Sequence, residues 1–232
     1  MTDRHLLALI DTSTRTGMVG LSHGNSLIAQ RVMDPHRGHA RDLSRKLRDL
    51  LNEAGLDVWE LSAIGINIGP GSFTGIRVAL ATVKALACTI GARLVAVDTF
   101  DLIFQRGSRF GISFRAIVDF QLNGWLTMDF ERDEAGIYTR RDVRAIAAKD
   151  TERLAASDLP LCGPGLEKLQ RAHPDAPRLT DAPWEPRLED LLAQSLRRVD
   201  TGQLADPYSI EPLYTTVSSA EQIWDSRQSA SE

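Results

Sequence analysis

The sequence predicts an α/β protein of two lobes built from one duplicated ββ-β-α-β-α unit, the second lobe in reduced form. Three observations carry that prediction. Hydrophobic periodicity in the first half reads as β-β-β-α-β-α-β. The second half repeats the order, with an aspartate closing its first strand as in the first half, Asp119 answering Asp11. A Gly-Pro-Gly turn follows an apolar strand and opens a helix in both halves, at Gly69-Pro70-Gly71 and at Gly163-Pro164-Gly165, so the chain reads as an internal duplication. The expected division is 1–106 for the first lobe and 107–217 for the second. Residues 218–232 are polar, Ser-rich and expected to be disordered.

Taken in order, Leu6 to Ile10 is an apolar strand ending at Asp11-Thr12-Ser13-Thr14. Met18 to Ser22 and Leu27 to Val32 form a hairpin around Gly24-Asn25. From Gly38 to Ala54, Leu43, Leu47, Leu50, Leu51 and Ala54 fall on one stripe of an amphipathic helix. Ala63 to Ile68 is a buried strand, followed by the turn, a long apolar helix to Ile90, and strand Leu94 to Val97. In the second half, Phe114 to Val118, Trp125 to Glu131 and Ile137 to Arg141 read as strands, and Val143 to Ala156 as a helix. Leu159 to Cys162 enters the second Gly-Pro-Gly turn and a helix from Leu166. Residues 174–186, with four prolines, are irregular; Leu188 to Val199 is a helix, and 207–217 an extended segment returning to a lobe.

The stretch Gly69-Pro70-Gly71-Ser72-Phe73-Thr74-Gly75-Ile76-Arg77 organises the first half. Its glycines permit a tight reversal from strand to helix, and Ser72 is placed to cap the helix. Such a turn suits either a phosphate or a plain capped corner. It has neither the lysine of a Walker loop nor the dinucleotide spacing. On a helical wheel Phe73, Ile76, Leu80, Val83, Ala87 and Ile90 share one apolar face, while Gly75, Val78, Thr82, Ala85 and Thr89 form a small, uncharged face opposite. A helix without a solvated face asks for cover on both sides. The second cover belongs either to this chain or to a partner.

With 232 residues, 43% hydrophobic and 25% charged, the composition is that of an ordinary globular protein. A net charge of −4 excludes a polycation that grips nucleic acid unaided. Cys88 and Cys162 lack metal-ligand spacing and are expected to be buried thiols in a reducing compartment. With no signal-like start and no apolar run of about 18 residues, a cytoplasmic, non-membrane protein is expected.

The first strand ending in Asp-Thr-Ser-Thr, the GPGSFTGIR segment opening a helix, and Pro212-Leu213-Tyr214 together resemble the bacterial TsaB family, companion subunits in tRNA threonylcarbamoyladenosine biosynthesis. The resemblance is close over residues 6 to about 98 and loose beyond. It implies the actin-like ATPase (ASKHA) fold. It also implies a non-catalytic scaffold that pairs with a TsaD-like catalytic paralogue, is joined by a TsaE-like small ATPase, meets tRNA only through the complex, and forms homodimers when alone. It implies no cofactor. Carried onto this chain, the pairing helices are 38–54 and 72–90, with Leu43, Leu47, Leu50, Phe73, Gly75, Ile76, Val78, Thr82, Ala85 and Thr89 as interface candidates. The loop Asp119-Phe120-Gln121-Leu122-Asn123-Gly124-Trp125 departs from the family pattern.

Other chemistries weigh less. Asp11, Thr12, Ser13 and Asp119 sit where a kinase or ATPase of this fold organises metal and phosphate. Thr12-Ser13, however, stand where a glycine is wanted, so the four read as a vestigial nucleotide cleft. A glycopeptidase-like hydrolase would need Ser72 activated, and no histidine is placed to do so. His36 and His39 lack further ligands for a metal. Arg37, Arg41, Arg45 and Arg48 line one helix face, beside Asp42, Asp49 and Glu53. That row is either a solvated face with local ion pairs or a contact to tRNA phosphates or an acidic partner.

Overall fold

A computed structural model of the chain describes residues 5–33, 39–120, 124–180 and 184–213, with side chains from residue 42 onward in the first helix. The segment 218–232 expected to be disordered lies outside the described residues, as do His36, Arg37 and residues Gln121, Leu122 and Asn123 of the 119–125 loop.

The first sheet joins β1 (Leu6–Asp11), β2 (Met18–His23), β3 (Ser26–Val32), β4 (Ala63–Asn67) and β5 (Arg93–Val97) in the order β3-β2-β1-β4-β5. β1 to β3 form an antiparallel meander, and β4 and β5 add in parallel on the other side of β1. β1 is buried along its whole length because both its faces are covered. Ala8 and Ile10 point to one face, Leu7 and Leu9 to the other, as strand geometry requires. β3 is the open edge and alternates toward solvent.

On the first face lie α1 (His39–Ala54) and α2 (Phe73–Ile90). The leucine stripe of α1 is consumed here: Leu43, Leu47, Leu50 and Leu51 are buried against Ile10, Leu21, Ile64 and Leu80 in the lobe's own core. As interface candidates Leu43, Leu47 and Leu50 are therefore corrected, since each would have to leave that core to meet a partner. The other face is covered by α6 (Leu188–Asp200), whose Leu188, Leu191, Leu192 and Leu196 pack on Leu7, Leu9, Val95 and Val97. The expected division at 106/107 is corrected accordingly: the packing takes α6 back to the first sheet. The chain also returns beyond it. Ala205 pairs with Leu94, Lys84 Nζ of α2 donates to the carbonyls of Tyr208 and Ile210 (3.4 and 3.1 Å), and Leu213 N donates to Ile68 O (2.9 Å).

Between the sheets runs α3 (Thr99–Gly107), capped by Asp98, which accepts from Asp101 N at 2.7 Å. The second sheet contains β6 (Phe114–Asp119), β7 (Trp125–Arg132), β8 (Tyr138–Arg140), β9 (Arg144–Ile146) and β10 (Leu161–Cys162), ordered β10-β6-β7-β8 with β9 also on β7. Its helices are short: α4 (Thr151–Ala155) and α5 (Leu166–Ala172). The helix expected over Val143–Ala156 is corrected in its first half. Residues Arg144–Ile146 pair with Trp125–Thr127 as a strand, and a helix survives only from Thr151. Cross-strand pairing with the apolar Trp125 and Leu126 outweighs local helix propensity there.

The duplication holds in order but not in register. Ala8 pairs with Ile64 and Ala116 with Cys162, each alanine three residues before its strand-end aspartate. Gly69 then lies five residues beyond Ile64, whereas Gly163 lies one beyond Cys162. The first turn clears the end of its strand pair; the second still runs beside β6, with Gly165 N donating to Ile117 O at 3.0 Å.

Candidate functional site

The first turn and the end of β1 meet in a closed polar knot. Asp11, only 4% exposed, accepts from Ser13 N (2.9 Å) and Ser13 Oγ (2.7 Å) on Oδ1 and from Asn67 Nδ2 (3.2 Å) on Oδ2. Asn67, at the end of β4, is fully buried and its side chain meets four partners. Nδ2 also donates to Ser13 Oγ (3.0 Å), while Oδ1 accepts from Gly69 N (2.9 Å) and lies 3.1 Å from Thr99 Oγ1. The Thr99 hydroxyl further reaches Pro70 O at 2.7 Å, and Thr12 Oγ1 donates to Gly75 O at 2.9 Å. Of these residues, Asn67 and Thr99 are the ones that sequence reasoning missed. The available signal was a lone amide inside the apolar run 63–68.

Space, as well as hydrogen bonding, is used up. A Cβ on Gly71 would stand 2.3 Å from Ser13 O, and one on Gly75 2.3 Å from Thr12 O. Gly69 takes φ +100°, and the Gly69–Pro70 bond is cis. The signature turn therefore lies directly on Thr12-Ser13, and Ser13 O accepts from Ser72 N at 2.6 Å. Ser72 does cap α2, accepting from Gly75 N at 3.3 Å, and Gly91 ends that helix in the left-handed region.

α2 buries Gly75, Ile76, Ala79, Leu80, Val83 and Ala87. Gly75 and Ile76 are thereby corrected as interface candidates. Phe73, expected on the inward face, is corrected in the opposite sense: it is 40% exposed, with the Arg77 guanidinium 3.9 Å over its ring. The outward stripe carries Thr74, Ala81, Ala85, Cys88 and Thr89, with Val78 and Thr82 half-buried at its side. Ala81 and Cys88 were not foreseen. Thr82 and Thr89 donate to Val78 O (2.9 Å) and Ala85 O (2.8 Å), so their hydroxyls are spent on the helix itself and the stripe is nearly apolar. Among the described residues neither sheet covers this stripe, and α6 lies on the opposite face of the first sheet; the Tyr208 side chain meets it at Cys88. By length and hydropathy α2 also passes for a membrane span, against the expectation that no such run exists. Its inward face is core packing, which makes the composition weak evidence for a bilayer.

The remaining candidates lie elsewhere. Asp119, with 39% of its side chain exposed, pairs with Lys168 Nζ at 2.7 Å, and that lysine stands 5.1 Å over the Trp125 ring. In the arginine row, Arg45 is paired with Asp42 (2.9 Å) and Asp49 (3.8 Å), which holds its guanidinium charge firmly, and Arg48 is exposed. Arg37 and the side chains of Arg41 and His39 fall outside the described residues. Cys88 is exposed, correcting the expectation of two buried thiols, whereas burial pushes the Cys162 thiol up to about 11. Cys162 lines a cleft of about 390 Å³ with Leu161, Leu166, Arg106 and Trp184. The Arg106 side chain there is engaged by Asp190, by Glu185 O and by the Trp184 ring.

The chain is similar to several known proteins. Residues 30–112 match the family described as TsaD, tRNA N6-adenosine threonylcarbamoyltransferase. The Escherichia coli protein named tRNA threonylcarbamoyladenosine biosynthesis protein TsaB is 27% identical over 139 residues, 59% of this chain and 60% of that protein. The Bacillus subtilis protein of the same name is 29% identical over 101 residues, 44% of each. The matches thus span between about half and three-fifths of these relatives' length. The solved structure of YeaZ from Pseudomonas aeruginosa superposes with a TM-score of 0.71 at 28% identity, covering 90% of this chain and 99% of that one.

Fold and site together define an actin-like α/β protein whose first strand-end carboxylate is closed off by the chain's own donors. Its strand order, its GPGSFTGIR turn and its relatives agree. The chain is similar to the TsaB proteins.

Proposed function

We propose that this protein is a non-catalytic scaffold subunit in tRNA threonylcarbamoyladenosine biosynthesis, pairing with a TsaD-like catalytic paralogue through the outward stripe of α2. The observation that carries the reading is that stripe: a four-to-five-turn helix face, poor in charge apart from Arg77 and, among the described residues, covered by neither sheet. Small residues along it let a second helix approach closely. In the free protein the same stripe is the seat of a homodimer. Within the complex the TsaE-like ATPase joins and tRNA is met, and the compartment is the cytoplasm. The closed Asp11 knot supports the absence of a catalytic centre, because the carboxylate is buried and both its oxygens are engaged by the chain's own donors.

The test uses the full chain and a tagged TsaD-like paralogue from the same cytosol. Ala85→Glu puts a charge in the middle of the stripe at an exposed position, so the fold is expected to be unchanged and co-elution to be lost. Co-elution undiminished by Ala85→Glu overturns the reading. So does stoichiometric Mg-ATP binding by the isolated chain that disappears in Asp11→Ala.

A further inference from the structure

We propose that Asp11 and Asn67 form an acid–amide pair in which the Asn67 amide supplies what a divalent cation would otherwise supply, so that the strand-end pocket closes with no ligand at all. The proposal deepens the non-catalytic reading above and rests on it only for its biological meaning.

The argument is one of charge and valence. A carboxylate buried to 4% exposure requires compensation. Here the donors that meet it are neutral: Ser13 N, Ser13 Oγ and Asn67 Nδ2. Among the described residues no lysine or arginine forms an ion pair with it. The amide meets three further groups, donating to Ser13 Oγ and facing Gly69 N and Thr99 Oγ1 through Oδ1. An amide has two donors and an acceptor oxygen, and here both donors are used while the oxygen accepts from Gly69 N and shares the single Thr99 hydroxyl hydrogen with Pro70 O. No other side chain of that size satisfies both sides. A leucine satisfies neither. An aspartate keeps the Gly69 and Thr99 contacts but sets a second carboxylate about 3.2 Å from Asp11 Oδ2. Two carboxylates that close either share a proton or recruit a cation. Asn67 is thus the residue that decides against a cation.

The experiment compares four full-length proteins by thermal unfolding in chelator and in millimolar Mg²⁺: the parent chain, Asn67→Asp, Asn67→Leu and the swapped double variant Asp11→Asn/Asn67→Asp. The parent midpoint is expected not to move with Mg²⁺. Asn67→Asp should drop by roughly 5–10 °C in chelator and regain most of that in Mg²⁺, while Asn67→Leu drops as far and regains nothing. The swap, which restores one acid and one amide, should recover most of the loss without metal. A parent protein stabilised by Mg²⁺, an Asn67→Asp whose stability responds neither to Mg²⁺ nor to pH, or a swap no better than the single variants each overturns the proposal. If Asn67→Asp does not fold, the swap and the parent titration still decide. None of these results depends on a partner, so they fail separately from the co-elution test.

Discussion

The two halves share a plan and differ in how far each carries it out. In the first, an 18-residue α2 follows its Gly-Pro-Gly turn and an apolar sheet is covered on both faces. In the second, a seven-residue α5 follows the equivalent turn, and α4 has five residues against sixteen in α1. Where Asn67 ties the first turn to Asp11, the residue at the same distance before the second turn is Leu161, buried in a small apolar cluster. Asp11 is sealed; Asp119 is half open to solvent beside Lys168. The difference teaches that the duplicated turn is a reusable corner. Its chemistry comes from what the register brings beside it, and the four-residue shift brings different neighbours.

The largest contrast is expected at the turn glycines. Gly71→Ala drives a methyl to 2.3 Å from the Ser13 carbonyl oxygen, a backbone atom that cannot swing aside. Urea unfolding should show a loss of about 3 kcal/mol or more, against about 1–2 kcal/mol for Gly165→Ala, whose nearest contacts are 2.9 Å. Equal losses would break the claim that Gly71 is held more tightly than Gly165. Next come the aspartates. Asp11→Ala strands three buried donors and should cost about 2–4 kcal/mol, while Asp119→Ala removes a solvent-screened pair and should cost less than about 1 kcal/mol.

The thiols sharpen the same comparison through reactivity. Cys88 lies on the open stripe of the first half and should react with a thiol reagent at pH 8 in a fast phase. Cys162, buried with its thiol raised to about 11, is thiolate to only about one part in a thousand at that pH and should react slowly if at all. Two phases of similar rate would contradict the placement of either cysteine.

The smallest effect lies at the junction of the halves, where Asp98 and Asp101 of the α3 start face Arg140 of β8 and Arg198 of α6. Burial first, then the neighbouring charge of Asp101, raises Asp98 above the usual carboxylate range. A raised carboxylate favours folding while it is neutral, so its contribution is full in acid and is lost as pH rises through the raised value. Asp98→Asn keeps the helix cap and removes that dependence. The stability of the variant relative to the parent should therefore climb as pH is raised from the acid side toward neutrality, and a flat difference would count against the junction as described.

Much of the first half was legible because its strands are continuous apolar runs whose burial leaves little choice of structure. β1, β4 and the long helix after Gly71 read directly from the residues. The second half read less well, since only its first three strands, β10 and the helix from Leu166 followed from the residues. What escaped depended on contacts distant in sequence. Arg144–Ile146 is a strand only because Trp125–Thr127 lies beside it. Asn67 gains its role only when β4 is set level with β1. α3 is a different kind of miss, since Asp98 and Asp101 N form an ordinary cap ahead of Phe100, Leu102 and Ile103. Of the site, the Asp11-Thr12-Ser13 corner and the Ser72 cap were visible. Which leucines face inward was settled by α1 and α2 packing on the same face of the sheet.

That α6 and residues 205–213 complete the first sheet has a consequence for how the chain is made. During synthesis, Leu7, Leu9 and Val95 emerge from the ribosome about a hundred residues or more before Leu191 and Leu196, which will cover them. Until then that greasy side of the nascent sheet stands bare, and the N-terminal half is a natural client for a chaperone. Closing contacts so remote in sequence also place the molecule among slow folders.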